Sequence, residues 1–197
     1  MSPDVSAGKA GSAHPAKKSL GTWLVRALAD TVFMTPNLPA LLFTAIITVP
    51  SLLQAEERER LAELDAYWAG VANTIRKGDF EGYAATCHPD AVLVSERTGA
   101  SYPLVKALAR WKKEFEDTKA GRRESQVTFR FAQRFGDTTT AHERGIFLYS
   151  FRQGDQPLKT EYVHFEALLV KKNRKWQILM EYQKTAATEE EWKALAE

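Results

Sequence analysis

Glu161 to Gln183 reads EYVHFEALLVKKNRKWQILMEYQ. The spacing predicts two strands joined by a tight turn at Asn173-Arg174. Asn tolerates the left-handed backbone such a turn needs, although Gly would suit its second position better. In the simplest register Leu169 faces Ile178, Ala167 faces Met180 and Phe165 faces Tyr182. One side of the hairpin is then apolar and aromatic, as a half-buried antiparallel sheet requires.

Upstream, the pattern changes period. Leu61, Leu64, Trp68, Val71 and Ile75 recur three and four apart and predict an amphipathic helix from Glu56. Gly78 ends it, and Asp79 caps a short helix from Phe80 to Cys87. His88-Pro89-Asp90 is a turn, Ala91 to Glu96 a short strand and Arg97-Thr98-Gly99 another turn. Pro103 opens a third helix bearing Leu104, Leu108, Trp111 and Phe115. Near Gly121 the period falls to two: Ser125 to Phe135, a turn at Gly136-Asp137, then Thr138 to Arg152. Thr188 and Glu191 have capping-box spacing for a last helix. The order predicts an α+β fold, with helices against the concave face of a curved antiparallel sheet.

The 197 residues hold one ordinary domain and a tail. Residues 1–55 form the tail, 56–187 the domain and 188–197 a terminal helix. The net charge of +2 comes from Lys9, Lys17, Lys18 and Arg26 against Asp4 and Asp30 in the tail. The domain is neutral, which argues against nucleic acid as a partner. Residues 1–18 are too poor in large apolar side chains to order themselves, and Leu20 to Phe33 could form a short amphipathic helix. Leu38 to Leu53 is a sixteen-residue apolar run with Pro39 and Pro50. A membrane-spanning helix needs roughly twenty apolar residues. The run suits an export leader cleaved after Ala55, placing the domain in a periplasmic or secreted setting; the alternative is a membrane anchor over 38–53. Either Met1 or Met34 can be the start.

A single cysteine, Cys87, excludes an intramolecular disulfide and reads as a buried structural thiol. His14, His88, His142 and His164 show no metal-binding spacing. No phosphate loop or nucleophile elbow occurs, so neither metal nor cofactor is expected.

Several short motifs carry a resemblance. They are Tyr67 in the first helix, Lys77-Gly78-Asp79 at its end, His88-Pro89-Asp90-Ala91, Trp111, Gly136-Asp137-Thr138 with Ala141, and Lys175-Trp176-Gln177-Ile178. Together, from about Glu57 to Thr185, they resemble the nuclear-transport-factor-2-like superfamily. The likeness points to its SnoaL-like branch, itself similar to the calcium/calmodulin-dependent kinase II association domain. The resemblance implies a cystatin-like cone enclosing a pocket. Members include isomerases, dehydratases and cyclases using Asp, His or Tyr there, and others that only bind or assemble.

By periodicity Tyr67, Trp68, Tyr83, Trp111, Tyr149, Met180 and Tyr182 converge on that pocket as candidate ligand contacts. Glu143 shares a strand face with Tyr149. Unpaired among aromatics it would suit proton transfer, with Tyr149 or Tyr182 polarising a carbonyl. Paired with Arg130, directly opposite across a two-residue turn, it would be structural. On the other sheet face the same arithmetic sets Glu166 against Glu181, an unfavourable pair that Arg144 and His164 could compensate. Ile146, Leu148, Leu168, Val170 and Leu179 share that face and predict a homodimer interface, with no helix left over to cover it. His88 is explained by its turn, with a catalytic role as the alternative. The reading that follows is an exported, dimeric binder of a small apolar or aromatic molecule. The alternative is a lyase or isomerase using general acid–base catalysis in the same pocket.

Overall fold

The computed structural model describes residues 48–195. The expectations for residues 1–18, for Leu20 to Phe33 and for most of the apolar run at 38–53 lie outside them. Helix α1 (Thr48–Lys77) starts within that run and continues unbroken through Ala55 and Glu56. No helix of the described residues is long and apolar enough to cross a membrane. The α1 stripe packs as its spacing predicts, with Leu64, Trp68 and Val71 buried. The helix ends at Gly78, whose φ of +66° favours glycine. A Cβ there would also run into the Phe115 carbonyl and the Lys119 amide, so this position lets two helices meet backbone to backbone.

Helix α2 (Phe80–Ala85) is capped by the Asp79 carboxylate, which accepts from Gly82 N at 2.9 Å. Strands β1 (Cys87–Ser95) and β2 (Ala100–Pro103) form a hairpin, and α3 (Leu104–Lys119) buries Leu104, Ala107 and Phe115. Then come β3 (Arg123–Gly136), β4 (Thr140–Gln153), β5 (Lys159–Lys172) and β6 (Lys175–Ala186). These strands form one curved sheet in the order β2-β1-β6-β5-β4-β3. Every pairing is antiparallel except β1 with β6, which is parallel. The expectation of a wholly antiparallel sheet is corrected there. A helix and several strands separate β1 from β6 in sequence, so local periodicity carries no information about their relative direction.

The β5–β6 hairpin turns at Asn173-Arg174, with φ of 51° and 61° as the primed turn demands. Leu169 faces Ile178 as expected. The register then slips by one residue around Leu179, so Leu168 faces Met180, Ala167 faces Glu181 and Glu166 faces Tyr182. A second slip, at Ala132, combines with a three-residue loop after Gly136. Arg134, not Arg130, therefore faces Glu143, and Arg130 faces Ile146. The loop is held by Asp137, whose carboxylate accepts from the backbone N–H groups of Thr139 and Thr140 at 2.7 and 2.8 Å. Those bonds, the Thr139 amide first, hold its pKa down to about 2.

Helix α4 (Glu189–Ala194) opens on the expected capping box between Thr188 and Glu191. It lies against the convex face. Trp192 is buried beside Tyr162, with the Arg130 guanidinium 4.5 Å over its ring, and Glu191 pairs with His164 at 3.4 Å. The expectation that no helix covers this face is corrected in part. Helix α4 engages Arg130 and His164, the two cross-strand neighbours of Ile146, and Ile146 is itself buried.

Candidate ligand pocket

Between the helices and the concave face lies a cavity of about 930 Å³. Tyr67 and Trp68 enter from α1, Tyr83 from α2 and Trp111 from α3, each placed by its helical spacing. Phe129, Phe147, Tyr149 and Phe165 rise from the sheet, and Ile178, Glu181 and Gln183 complete one wall from β6. Trp68 meets Phe165 and Tyr83 meets Trp111 edge to face, while Tyr149 stacks on Phe151.

Five of the predicted contacts, Tyr67, Trp68, Tyr83, Trp111 and Tyr149, line this cavity. Met180 and Tyr182 do not. The slip at Leu179 turns them to the convex face, opposite Leu168 and Glu166, and brings Glu181 and Gln183 round in their place. A one-residue slip exchanges the two faces of a strand. The expected Glu166–Glu181 pair is therefore absent. Glu166 is held instead by Lys184 at 2.9 Å and His142 at 3.4 Å, the compensation expected of Arg144 and His164.

Glu143 is fully buried but does not line the cavity. It accepts hydrogen bonds from Trp68 Nε1 and Arg134 Nε, and Arg134 also reaches Asp65. The neutralising arginine is Arg134 rather than the expected Arg130. Arg130 donates to the Trp192 carbonyl at 3.0 Å. Glu143 is thus tied to Arg134 and the Trp68 indole rather than set in the cavity lining.

Glu181 is one of four carboxylates that line the cavity, with Glu96, Glu114 and Glu161. Burial raises the Glu181 pKa, against a lesser lowering by the Gln183 amide, which donates at 2.6 Å. Burial also raises the Tyr67 and Tyr83 hydroxyls, both of which feel the Glu181 charge. The Tyr67 hydroxyl donates to the Thr86 carbonyl at 3.1 Å. The Cys87 thiol is pushed up to about 12 by burial, so it is a protonated wall group rather than a nucleophile. Arg123 borders the cavity with Tyr149. Its Nη2 reaches the Tyr149 hydroxyl at 3.1 Å and Glu114 at 3.3 Å, and its guanidinium lies 4.1 Å over Phe151. The expected turn at His88-Pro89-Asp90 is corrected: these residues lie in an irregular stretch of β1, where His88 accepts from Asp90 N at 3.1 Å. No cluster of His, Cys, Asp and Glu among the described residues could hold a metal ion.

The sequence contains one hint of Glu181. Simple pairing sets it against Glu166, and two carboxylates directly opposed are unfavourable. The slip that removes the clash is what puts Glu181 in the cavity.

No protein-family model and no curated protein matches the chain by sequence. Solved structures do match. A conserved protein from Planctomyces limnophilus has a TM-score of 0.57 at 10% identity, over 66% of this chain and 99% of its own. A candidate calcium/calmodulin-dependent kinase II association domain from Exiguobacterium sibiricum has a TM-score of 0.51 at 12% identity, over 64% and 92%. A ketosteroid isomerase-like protein from Erwinia carotovora atroseptica has a TM-score of 0.50 at 14% identity, over 66% and 98%. The fold is the nuclear-transport-factor-2-like cone that the sequence motifs resemble. At these identities what is shared is the architecture, and function has to be argued from the site.

Proposed function

We propose that this cone is a small-molecule-binding domain whose ligand occupies the aromatic cavity. The observation that carries the reading is the cavity itself: about 930 Å³, walled by rings from three helices and the sheet. Concave, mostly aromatic spaces with a few convergent polar groups are where small ligands bind. The neutralisation of Glu143 by Arg134 supports binding over catalysis by that residue. A screen of aromatic and alicyclic molecules by thermal shift tests it, with Trp68 and Trp111 as fluorescent reporters in the wall. Hits should quench those tryptophans, and Trp111→Ala should weaken them. A folded protein that no such molecule shifts or quenches would count against the reading.

A second reading, general acid–base catalysis by a lyase or isomerase, is favoured by one observation. Glu181 is a cavity carboxyl with a raised pKa, the property a proton carrier needs. The likeness to the ketosteroid isomerase-like protein from Erwinia points the same way by analogy. Turnover of a neutral hit that disappears in Glu181→Gln while its affinity persists would establish this reading over simple binding.

Self-association belongs to the same proposal. Leu168, Val170 and Met180 on the convex face are only half-buried, alongside the part that α4 covers. Light scattering should give a dimer mass that Leu168→Glu reduces to that of a monomer.

A further inference from the structure

Glu181 is a half-buried carboxylate on the cavity wall with no cation paired to it. Among the described residues no Lys, Arg or His forms an ion pair with it, and its hydrogen-bond partner is a neutral amide, Gln183 at 2.6 Å. The basic side chains that border the same cavity are placed elsewhere. Lys184 is bonded to Glu166 at 2.9 Å, Arg123 is divided between Glu114, Tyr149 and Ser125, and Arg97 stands exposed to solvent. The nearby hydroxyl of Tyr67 donates away, to the Thr86 carbonyl. Buried carboxylates are ordinarily paired, as Glu143 is in this same protein. Around Glu181 stand aromatic rings, whose faces attract positive charge and repel negative. Glu96 and Glu161 add further acidic groups to the lining.

Resting on the binding reading above, we infer that the ligand is a lipophilic cation: an apolar ring body carrying a protonated amine that pairs with Glu181. The ammonium supplies the counter-charge the chain itself withholds, and its ring body fills the space between Trp68, Trp111 and Phe147. An anionic ligand would meet Glu181 with like charge. A neutral one would gain only the apolar contacts.

The test uses the full chain at neutral pH with three probes of one shape: 1-naphthylmethylamine, 1-naphthylmethanol and 1-naphthoate. Tryptophan quenching and thermal shift give the affinities. The amine should bind about ten- to a hundredfold more tightly than the alcohol, the contribution of a charge-assisted hydrogen bond. The naphthoate should bind most weakly. In Glu181→Gln the amine's advantage should vanish while the alcohol's affinity stays, and in Glu161→Gln the advantage should persist. A wild-type measurement needs no variant. Acidifying toward protonation of Glu181 should erode the amine's advantage and leave the alcohol alone. Tyr67, Tyr83 and Cys87, which face Glu181 from α1, α2 and β1, remain protonated throughout. Equal affinities for amine and alcohol, or an advantage that survives Glu181→Gln, would overturn the cation inference and leave pocket binding standing. If none of the three binds a protein that still melts cooperatively, both readings fall together.

Discussion

Glu143 and Glu181 stand in one row across the concave face, with only Ala167 between them. Pairing runs Arg134 to Glu143 to Ala167 to Glu181 to Leu93, so the two residues' Cα atoms are two strand spacings, about 10 Å, apart. Glu143 is fully buried and Glu181 half-buried on the cavity wall. Glu143 sits under α1 and is closed in by an arginine and an indole N–H. Glu181 sits under the cavity and is left with an amide. The same side chain on the same surface is a structural tie in one place and an uncompensated charge in the other. What separates them is the company each is given. A buried carboxylate is informative about function only after its partners have been counted.

That contrast can be broken from the Glu143 side first, where the effect is largest. Arg134→Met removes the cation and leaves a buried charge alone, which should cost about 3–5 kcal/mol in urea denaturation. Arg134→Met combined with Glu143→Leu should recover most of that loss, because the tie and the charge are then removed together. If the single variant were near neutral, Glu143 would not be held in a closed pair.

Glu181→Gln should act in the opposite direction, by a smaller amount. At pH 7 it should stabilise on the order of 1 kcal/mol, which a domain of this size registers as about 2–4 °C in Tm. The gain should depend on pH. In acid, below the ordinary carboxylate range, both folded and unfolded wild type hold the proton, and the variant gains nothing. As pH rises, the unfolded chain ionises first, since burial raises the native pKa. Wild-type stability therefore falls through that window and levels off above the native value, while the glutamine variant shows no such fall. Coincident melting curves at pH 7 would place Glu181 in contact with water.

The smallest effect belongs to a pair with neither kind of burial. Arg152 meets Glu124 at 2.7 Å on the surface, and Arg152→Ala should leave the urea midpoint unmoved within error. A measurable loss there would mean that solvated pairs contribute in this fold, which would weaken the distinction between the two buried glutamates.

What can be read from the sequence follows the range of the forces involved. The α1 stripe, the Asp79 cap, the Asn173-Arg174 turn and the Thr188–Glu191 capping box are settled within a few residues, and they stand where their spacing puts them. The strand β2 has only four residues, too few to show a period, and its sequence looks locally like the end of a turn and the start of a helix. The slips at Ala132 and Leu179 leave no local mark, because they answer to neighbours on other strands. The pocket divides along the same line. Tyr67, Trp68, Tyr83, Trp111 and Tyr149 keep their predicted side. Met180 and Tyr182, beyond the slip in β6, lose theirs to Glu181 and Gln183.

The parallel seam between β1 and β6 also governs the order of assembly. It joins Val92 to Met180 and Val94 to Tyr182, so the first long strand waits for the last. A chain leaving the ribosome presents α1 to α3 and then the β3–β4–β5 meander, all of which can begin to form from near neighbours in sequence. The wall that carries Glu181 arrives only with the final strand, and its docking closes the longest loop in the domain. Until then the aromatic rings of the helices have no floor to rest on and stand open to other chains. A ribosome stalled shortly before β6 would hold a chain with most of its secondary structure in hand and nowhere for a ligand to go.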